Sequence, residues 1–327
     1  MYDELLVLLS ITIFPGVVFT IALALFTQYF VRKISGRLQK RMGPSYVGPI
    51  GILQPFYDVL KLVRVKEEVI HRYSMPSLAK LFGIIGIASG TVVMLMFPLS
   101  PIKFYGDYDF LVYIYFTSIW IPLSLILMSL SMPGPYTAIG VSRYLSFITL
   151  MEPAFFVSIL TPLMITSRYY SPPYSILVTS MNIHKFWLNP LTAIPLALSL
   201  LSAIIVLQAR AMYNPFNIPE AEQEIIAGYE TEFSGPVLGL AIILHDVEVA
   251  VTAITIVYLI LGGPYPFKHT SVQGILTLIT KYLLVILTAT IIRNAFGRYR
   301  LEQALKILLY ALIIAILSLI ITVIVLR

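Results

Sequence analysis

Eight stretches of this chain are each long and apolar enough to cross a lipid bilayer, which takes about 20 residues of helix. The whole chain is 58% hydrophobic and only 12% charged, which is outside the range of soluble domains. In lipid, backbone polar groups are satisfied only in helices or closed barrels, and runs this long and apolar are helices. The sequence therefore predicts an all-α polytopic membrane protein of about eight transmembrane helices, forming one integral membrane domain over residues 1–327. The stretches lie near residues 5–30, 78–98, 110–130, 145–166, 190–210, 235–261, 274–293 and 303–326.

The distribution of lysine and arginine predicts the orientation in the cell membrane. Most of them fall in four alternate loops, and because cytoplasmic loops are enriched in these residues, both termini are expected outside. The first of these loops is residues 31–80, and the other three contain Arg143, then Arg210, then Arg293, Arg298, Arg300 and Lys306. The residues left outside are Lys103, Arg168, Lys185, Lys268, Lys281 and Arg327. The net charge of +6 is scattered among membrane loops, so it does not indicate nucleic-acid binding.

The chain has no cysteine and four histidines. Without cysteine it cannot hold a disulfide or a thiolate-bound iron–sulfur cluster. The histidines show no paired ligand spacing, so no metal or haem site is expected in this chain. If electrons are involved, another chain carries them.

The longest polar segment, residues 31–77, is predicted to be a cytoplasmic loop that contains an amphipathic helix over residues 50–63. A breaker-rich turn at residues 43–49 precedes apolar residues that recur at helical spacing. Such a helix lies at the membrane surface or under a partner subunit, and a surface helix alone would also explain the pattern.

A second loop, residues 211–234, is acidic. It carries Glu220, Glu222, Glu224, Glu230 and Glu232. If the segment is helical, Glu220 and Glu224 share one face and Glu222 points away, and like charges this close raise one another's pKa. The alternative is a solvated loop, but the interspersed apolar residues indicate a loop folded against something.

Three further acids, Glu152, Asp246 and Glu248, lie inside predicted spans. A charge at mid-bilayer costs about 2.5–3.5 kcal/mol, so such residues face a polar interior and suggest a hydrated path for cations or protons. His245 and Glu248 are expected to share a face, with Asp246 pointing elsewhere. The alternative is a set of interhelical hydrogen bonds, with the acids protonated or paired to arginine. Arg143 is a candidate partner for Glu152 or for an acid of the loop.

Three motifs together resemble the NADH dehydrogenase subunit 1 family, the membrane subunit beneath the quinone chamber of respiratory complex I. The first runs from Gln39 to Pro49, followed by Gly51, Gln54-Pro55, Asp58 and Lys61-Leu62. The second runs from Asn214 to Glu224, followed by Gly228 and Glu230 to Gly235. The third is Arg293 followed by Arg298 and Arg300. The resemblance covers nearly the whole chain.

The resemblance implies a coupling subunit that joins a peripheral electron-transfer arm to antiporter-like membrane subunits that translocate protons or sodium. It implies that iron–sulfur clusters, and in some members a nickel–iron centre, belong to partner subunits. It also implies an ion path and arm contacts. The path residues are Glu152, Glu220, Glu222, Glu224, Asp246 and Glu248. The contact residues are Arg41, Asp58, Lys61, Glu230, Glu232, Arg293, Arg298 and Arg300.

The same family serves quinone-reducing complexes and membrane-bound nickel–iron hydrogenases or related sulfur-reducing complexes. Val31, Asn217 and Gly297 stand where the quinone-type pattern has Glu, Asp and Pro, which favours the hydrogenase and sulfur-reductase branch. Two alternatives remain, a quinone-site subunit and a stand-alone secondary transporter. The absence of a long internal repeat argues mildly against the transporter.

Overall fold

The structure, a computed structural model, describes residues 2–101, 106–269 and 271–326, and all regular secondary structure in these ranges is helical. Eight helical segments are long and apolar enough to cross a membrane. The predicted all-α polytopic fold is therefore confirmed. Lys103 and Arg327, both assigned to the outer side, lie outside the described residues. The eight segments are Glu4–Leu38, Pro76–Leu95, Phe110–Leu130, Pro135–Ser167, Pro190–Arg210, Gly235–Ile260, Val272–Ala295 and Leu301–Val325.

The first span consists of two helices, α1 (Tyr2–Thr12) and α2 (Val17–Leu38). At the break between them, the backbone of Gly16 lies against the carbonyls of α1, where a side chain would collide with them. Helix α2 also extends eight residues beyond the start of the predicted loop, so residues 31–38 are helical and the loop begins after Leu38. The sequence did not show this extension because residues 32–38 are mostly polar.

The amphipathic segment begins with a short 3₁₀ turn, Pro49–Gly51, and continues as α3 (Gln54–Arg64), a few residues later than the predicted 50–63. Lys33 at the end of α2 holds the preceding loop, because its ammonium donates to the carbonyls of Pro44 (2.5 Å) and Ile50 (3.1 Å). Several apolar side chains of α3 are exposed on its surface.

The other helices follow in order along the chain. Helix α7 begins ten residues earlier than the predicted fourth span, so Arg143 lies inside it and not in a loop. The helices are α4 (Pro76–Leu95), α5 (Phe110–Ile114), a π-helical turn (Tyr115–Trp120), α6 (Ile121–Leu130), α7 (Pro135–Ser167), α8 (Ile176–Asn182), a 3₁₀ helix (Ile183–Leu188), α9 (Pro190–Arg210), α10 (Glu222–Ile225), a 3₁₀ turn (Gly228–Glu230), α11 (Gly235–Thr255), a second π-helical turn (Ile256–Ile260), α12 (Val272–Ala295) and α13 (Leu301–Val325).

Helix α11 forms the centre of the bundle. In the span that α11 forms with the π-helical turn after it, 83% of the most apolar 18-residue stretch is buried, which is the highest share among the eight spans. It packs closely on α4 because Gly86 and Gly90 of α4 face Leu244 and Val247 of α11 without an intervening side chain. Small residues that let two backbones approach are a general means of helix association in membranes.

Helices α7, α9 and α13 are joined by hydrogen bonds between small hydroxyl side chains and backbone carbonyls. Ser199 of α9 donates to the carbonyl of Ser158 on α7 (2.6 Å), and Ser202 of α9 donates to Ala311 on α13 (2.9 Å). Such bonds add modest stability between spans. Together with α11, these helices fix the side chains of the membrane interior.

Candidate functional site

Arg210, the last residue of α9, is fully buried and forms the centre of the charged interior. Its guanidinium donates to a carboxylate oxygen of Glu152 on α7, to Ser118 on the first π-helical turn (2.9 Å) and to Thr252 on α11 (3.3 Å). The same group lies 3.7 Å from the ring centroid of Phe155. Three elements therefore contact the buried cation that α9 carries.

Glu248 lies one turn before Thr252 on α11 and is 1% exposed. It interacts electrostatically with both Arg210 and Glu152. One carboxylate oxygen of Glu248, one of Glu152 and the Nε of Arg210 are buried without a hydrogen-bond partner among the described residues. We refer to Glu152, Arg210 and Glu248 as the buried triad. It has two acids, one permanent cation and unused donor and acceptor atoms.

Two buried tyrosines connect the buried triad to the acidic loop. Tyr144 lies on α7, two turns before Glu152, and its hydroxyl has no hydrogen-bond partner among the described residues. Its ring stacks on Tyr229 with centroids 6.1 Å apart, and the Tyr229 hydroxyl donates to a carboxylate oxygen of Glu220 (2.7 Å). The loop approaches α7 this closely because residue 140 is glycine, where a side chain would collide with the backbone of Tyr229.

Glu224 has a different position from the one expected. Helix α10 begins at Glu222, so Glu220 lies outside it and does not share a helical face with Glu224. Instead, the half-exposed Glu224 accepts from Arg143 (2.7 Å) and Arg298 (2.8 Å), tying the loop to α7 and to the segment before α13. The hydrogen bond from Arg143 holds the pKa of Glu224 below its usual value, opposite to the expected rise.

Glu230, for which the sequence predicted no shift, has a raised pKa. Burial of its carboxyl group, then the negative charges of Glu220 and Asp246, raise its pKa to about 8. Glu232 packs against Gly134 at the start of α7, and Glu222 is exposed. The five acids of the loop therefore occupy distinct environments.

The raised pKa of Glu230 predicts a pH-dependent stability. A carboxyl group that binds its proton more tightly in the folded state stabilises the fold fully below pH 4.5, its unfolded value, and this stabilisation is lost as the pH rises through about 8. The effect is at most about 1.4 kcal/mol per unit of pKa difference and is reduced by partial solvent access. Thermal unfolding of the detergent-solubilised Glu230→Gln variant should show a flatter pH profile between these limits than the unaltered chain. If the unfolding temperature changed with pH equally in the variant and in the unaltered chain, the raised pKa of Glu230 would be refuted.

A polar cavity of about 480 Å³ lies between α2, the start of the acidic loop, α11 and α12. Both Asp246 and His245 line it, so the expectation that Asp246 points away from His245 is wrong. The Nε2 of His245 lies 3.0 Å from the carbonyl oxygen of Ala211. The cavity lining comprises Gln28, Val31, Arg32, Arg41, Ala211, Met212, Tyr213, Asn214, Asn217, Glu220, His245, Asp246 and Arg293.

The predicted arm-contact residues are only partly grouped. Asp58 pairs with Arg32 (2.7 Å), while Lys61 on the same helix is exposed. Arg41 lines the cavity, as does Arg293, whose guanidinium lies 4.4 Å from the ring centroid of Tyr213. Of the remaining basic residues, Arg298 lies beside the acidic loop. Arg300 is exposed at the start of α13. Among the described residues, no group of three His, Asp or Glu side chains is placed to hold a metal ion.

Sequence reasoning missed the cation at the centre of the site. It assigned Arg210 to a cytoplasmic loop because the residue follows an apolar run, whereas the structure buries it inside the bundle. A buried arginine at the end of a span was detectable only as the possible counter-charge of an intramembrane acid. It also overlooked Tyr144, since a tyrosine in an apolar helix carries no distinctive pattern.

The fold and the site define a multi-pass membrane protein whose charged interior adjoins a polar cavity and an acidic loop. The chain belongs to the NADH dehydrogenase family, whose model matches residues 11–324. It is 28% identical over 281 residues to NADH-ubiquinone oxidoreductase chain 1 of Paracentrotus lividus, covering 83% of this chain and 81% of that one. It is 29% identical over 297 residues to a subunit of the NADH-quinone oxidoreductase of Dehalococcoides mccartyi (strain CBDB1), covering 88% of this chain and 78% of that one.

A solved structure shares the fold. It is a chain of the membrane-bound sulfane sulfur reductase, described as an archaeal respiratory membrane complex, with a TM-score of 0.75 and 24% identity. The match covers 94% of this chain and 96% of that chain. At this identity the likeness establishes the architecture alone. The family resemblance expected from the three motifs is confirmed.

Proposed function

We propose that this chain is a non-catalytic coupling subunit of a multi-subunit respiratory membrane complex. It links electron transfer in a peripheral arm to proton or sodium translocation in antiporter-like membrane subunits. The family membership and the named relatives, which are subunits of quinone oxidoreductases, support the assignment to a complex. Iron–sulfur clusters, and a nickel–iron centre in a hydrogenase, would belong to the partner chains.

The observation that carries the proposal is the physical connection between the acidic loop and the membrane interior. Glu220 contacts Tyr229, Tyr229 stacks on Tyr144, and Tyr144 lies beside the buried triad. A change of charge or shape at the loop therefore reaches groups that accept or release a proton. Coupling requires such an element that both sites bias.

We assign the complex to the hydrogenase and sulfur-reductase branch of the family. Two of the three departures from the quinone-type pattern, Val31 and Asn217, line the polar cavity. Each places a neutral side chain where the pattern has an acid, so the cavity chemistry differs from that of a conventional quinone headgroup site. The fold of the sulfane sulfur reductase chain is compatible with this assignment.

The quinone-site alternative is favoured by the size of the same cavity, since small-molecule sites span about 300–1,000 Å³. Its lining is mainly charged and polar, however, whereas sites for ring systems are predominantly apolar. Photolabelling of the intact complex with a quinone analogue distinguishes the two. Labelling of Tyr213 or His245 that excess quinone suppresses would support the alternative.

The coupling proposal predicts that the peripheral arm docks on the exposed basic surface of the loop after α2. Reversing two charges, in the double variant Arg41→Glu and Lys61→Glu, should release the arm subunits from washed membranes while this chain stays embedded. Lys268→Glu, on the opposite side of the bundle, is the matched control. Retention of the arm in the double variant would contradict the docking assignment.

Ion transport by the purified chain alone in vesicles would instead support a stand-alone transporter.

We propose that both termini face outward, and the absence of cysteine makes this directly testable. Tyr46 and Leu188 are 93% and 78% exposed and lie at opposite ends of the bundle. In spheroplasts carrying the chain without its partners, a membrane-impermeant maleimide should label Leu188→Cys readily. Tyr46→Cys should react only after the membrane is opened. The reverse pattern would invert the proposed orientation.

A further inference from the structure

We propose that the buried triad binds one exchangeable proton and rejects sodium, so that Arg210 determines which cation occupies this point of the membrane interior. The proposal rests on the coupling function and specifies its ion at one location. It starts from the composition of the triad, two acids and one arginine, each at least nine-tenths buried as a residue.

Charge balance sets the number of protons. A guanidinium stays protonated in proteins, so with both carboxyl groups ionised the buried triad carries one net negative charge. Isolated buried charge is strongly unfavourable, and one proton on either carboxyl group makes the triad neutral. Arg210 is hydrogen-bonded to Glu152, which keeps that carboxylate ionised and leaves Glu248 as the resting place of the proton. The unpartnered oxygen of Glu248 is an atom that can carry it.

The same geometry opposes a metal cation. Sodium needs several oxygen ligands converging on it, but the guanidinium supplies only donors and no acceptor. It also occupies the space between α7, α9 and α11, with the ring of Phe155 against one face. A second cation there would be repelled by the permanent charge of Arg210, and this repulsion is strong where water is excluded. A proton avoids this conflict because it neutralises a carboxylate within an existing side chain.

The other titratable groups around the triad fit a proton site. Tyr113 of α5 donates to or accepts from Thr255 of α11 (2.6 Å), and Tyr144 of α7 leaves its hydroxyl unpartnered among the described residues. Asp246 lies two residues before Glu248 but lines the cavity. The surroundings therefore provide neutral hydroxyls near the triad, and Asp246, the other acid of α11, lines the cavity.

Infrared difference spectroscopy of the assembled complex tests the proposal. The difference spectrum between the unaltered complex and Glu248→Gln should contain the C=O stretch of one protonated carboxylic acid, and this band should shift in D2O. Exchanging potassium for sodium in the buffer should leave this band unchanged. Removing the cation in Arg210→Gln should about double the band, because both carboxyl groups are then protonated, and Arg210→Lys should retain a single one.

Three results would each overturn the proposal. The first is loss of the band on adding sodium, which would show that sodium displaces the proton. The second is the absence of a band assignable to Glu248. The third is no increase of the band in Arg210→Gln while Arg210→Lys shows its single band. Both readouts use the resting complex and need no pumping. If Glu248→Gln loses the band but pumps ions at the normal rate, the coupling function is refuted while the proton site stands.

Discussion

Replacing Arg210 with glutamine should destabilise the subunit by about 3–5 kcal/mol, because removing one partner of a buried ion pair leaves an uncompensated charge. The carboxylate of Glu152 would lose the cation that is hydrogen-bonded to it, and Ser118 and Thr252 would lose a donor. Protonation of Glu152 would relieve part of this cost. Unfolding of the purified chain in mixed micelles, followed by tyrosine and tryptophan fluorescence, measures the change.

A double-mutant cycle provides the control. The double variant Arg210→Gln and Glu152→Gln also removes the carboxylate that Arg210→Gln leaves without its partner, so it should be more stable than Arg210→Gln alone. Arg298→Gln removes an arginine from a half-exposed pair with Glu224, and such pairs contribute about 0–1 kcal/mol. If Arg298→Gln were as damaging as Arg210→Gln, burial would not be the reason for the effect.

Replacing Glu152 with glutamine should reduce ion pumping by the assembled complex roughly tenfold or more, a barrier increase of at least about 1.4 kcal/mol. Glutamine keeps the size of the side chain but neither ionises nor pairs with Arg210 as an anion. Electron transfer from the peripheral arm to an artificial acceptor should continue at its normal rate, because the redox centres lie in other chains under the proposal. The two rates are measured on one preparation of reconstituted vesicles.

Glu222→Gln is the matched control for this experiment, since Glu222 is exposed and makes no described contact with the buried triad. Glu224→Gln gives a further distinction. Although the sequence grouped Glu224 with the ion path, the structure shows it bridging two arginines at the surface. If Glu224 acts as a clamp, Glu224→Gln should weaken pumping less than Glu152→Gln. An equal loss of ion pumping in the two variants would show that Glu224 belongs to the ion path.

The architecture was predictable because span length and apolar composition are local properties that lipid imposes on any helix. The eight spans follow from them directly. Helix ends in polar sequence do not, which is why the extension of α2 through Leu38 and the early start of α7 at Pro135 were missed. There, tertiary packing and not hydropathy decides where the helix stops.

The site was predictable in its acids but not in their pairing. An acid in an apolar run is recognisable because its burial is costly, and Glu152, Asp246 and Glu248 are indeed buried. The partner is a long-range property. Arg210 lies 58 residues from Glu152 along the chain, and only the packing of α9 against α7 brings them together. Likewise, helical spacing alone placed His245 beside Glu248, whereas the cavity groups it with Asp246.

The most direct test is the number of ions pumped per electron in a complex whose intramembrane acids are all neutral isosteres, Glu152→Gln, Asp246→Asn and Glu248→Gln together. We expect that electrons still flow to an artificial acceptor while the pumped-ion ratio collapses. A complex that assembles, transfers electrons and keeps the full ratio without these three carboxyl groups would contradict the coupling role of the membrane interior.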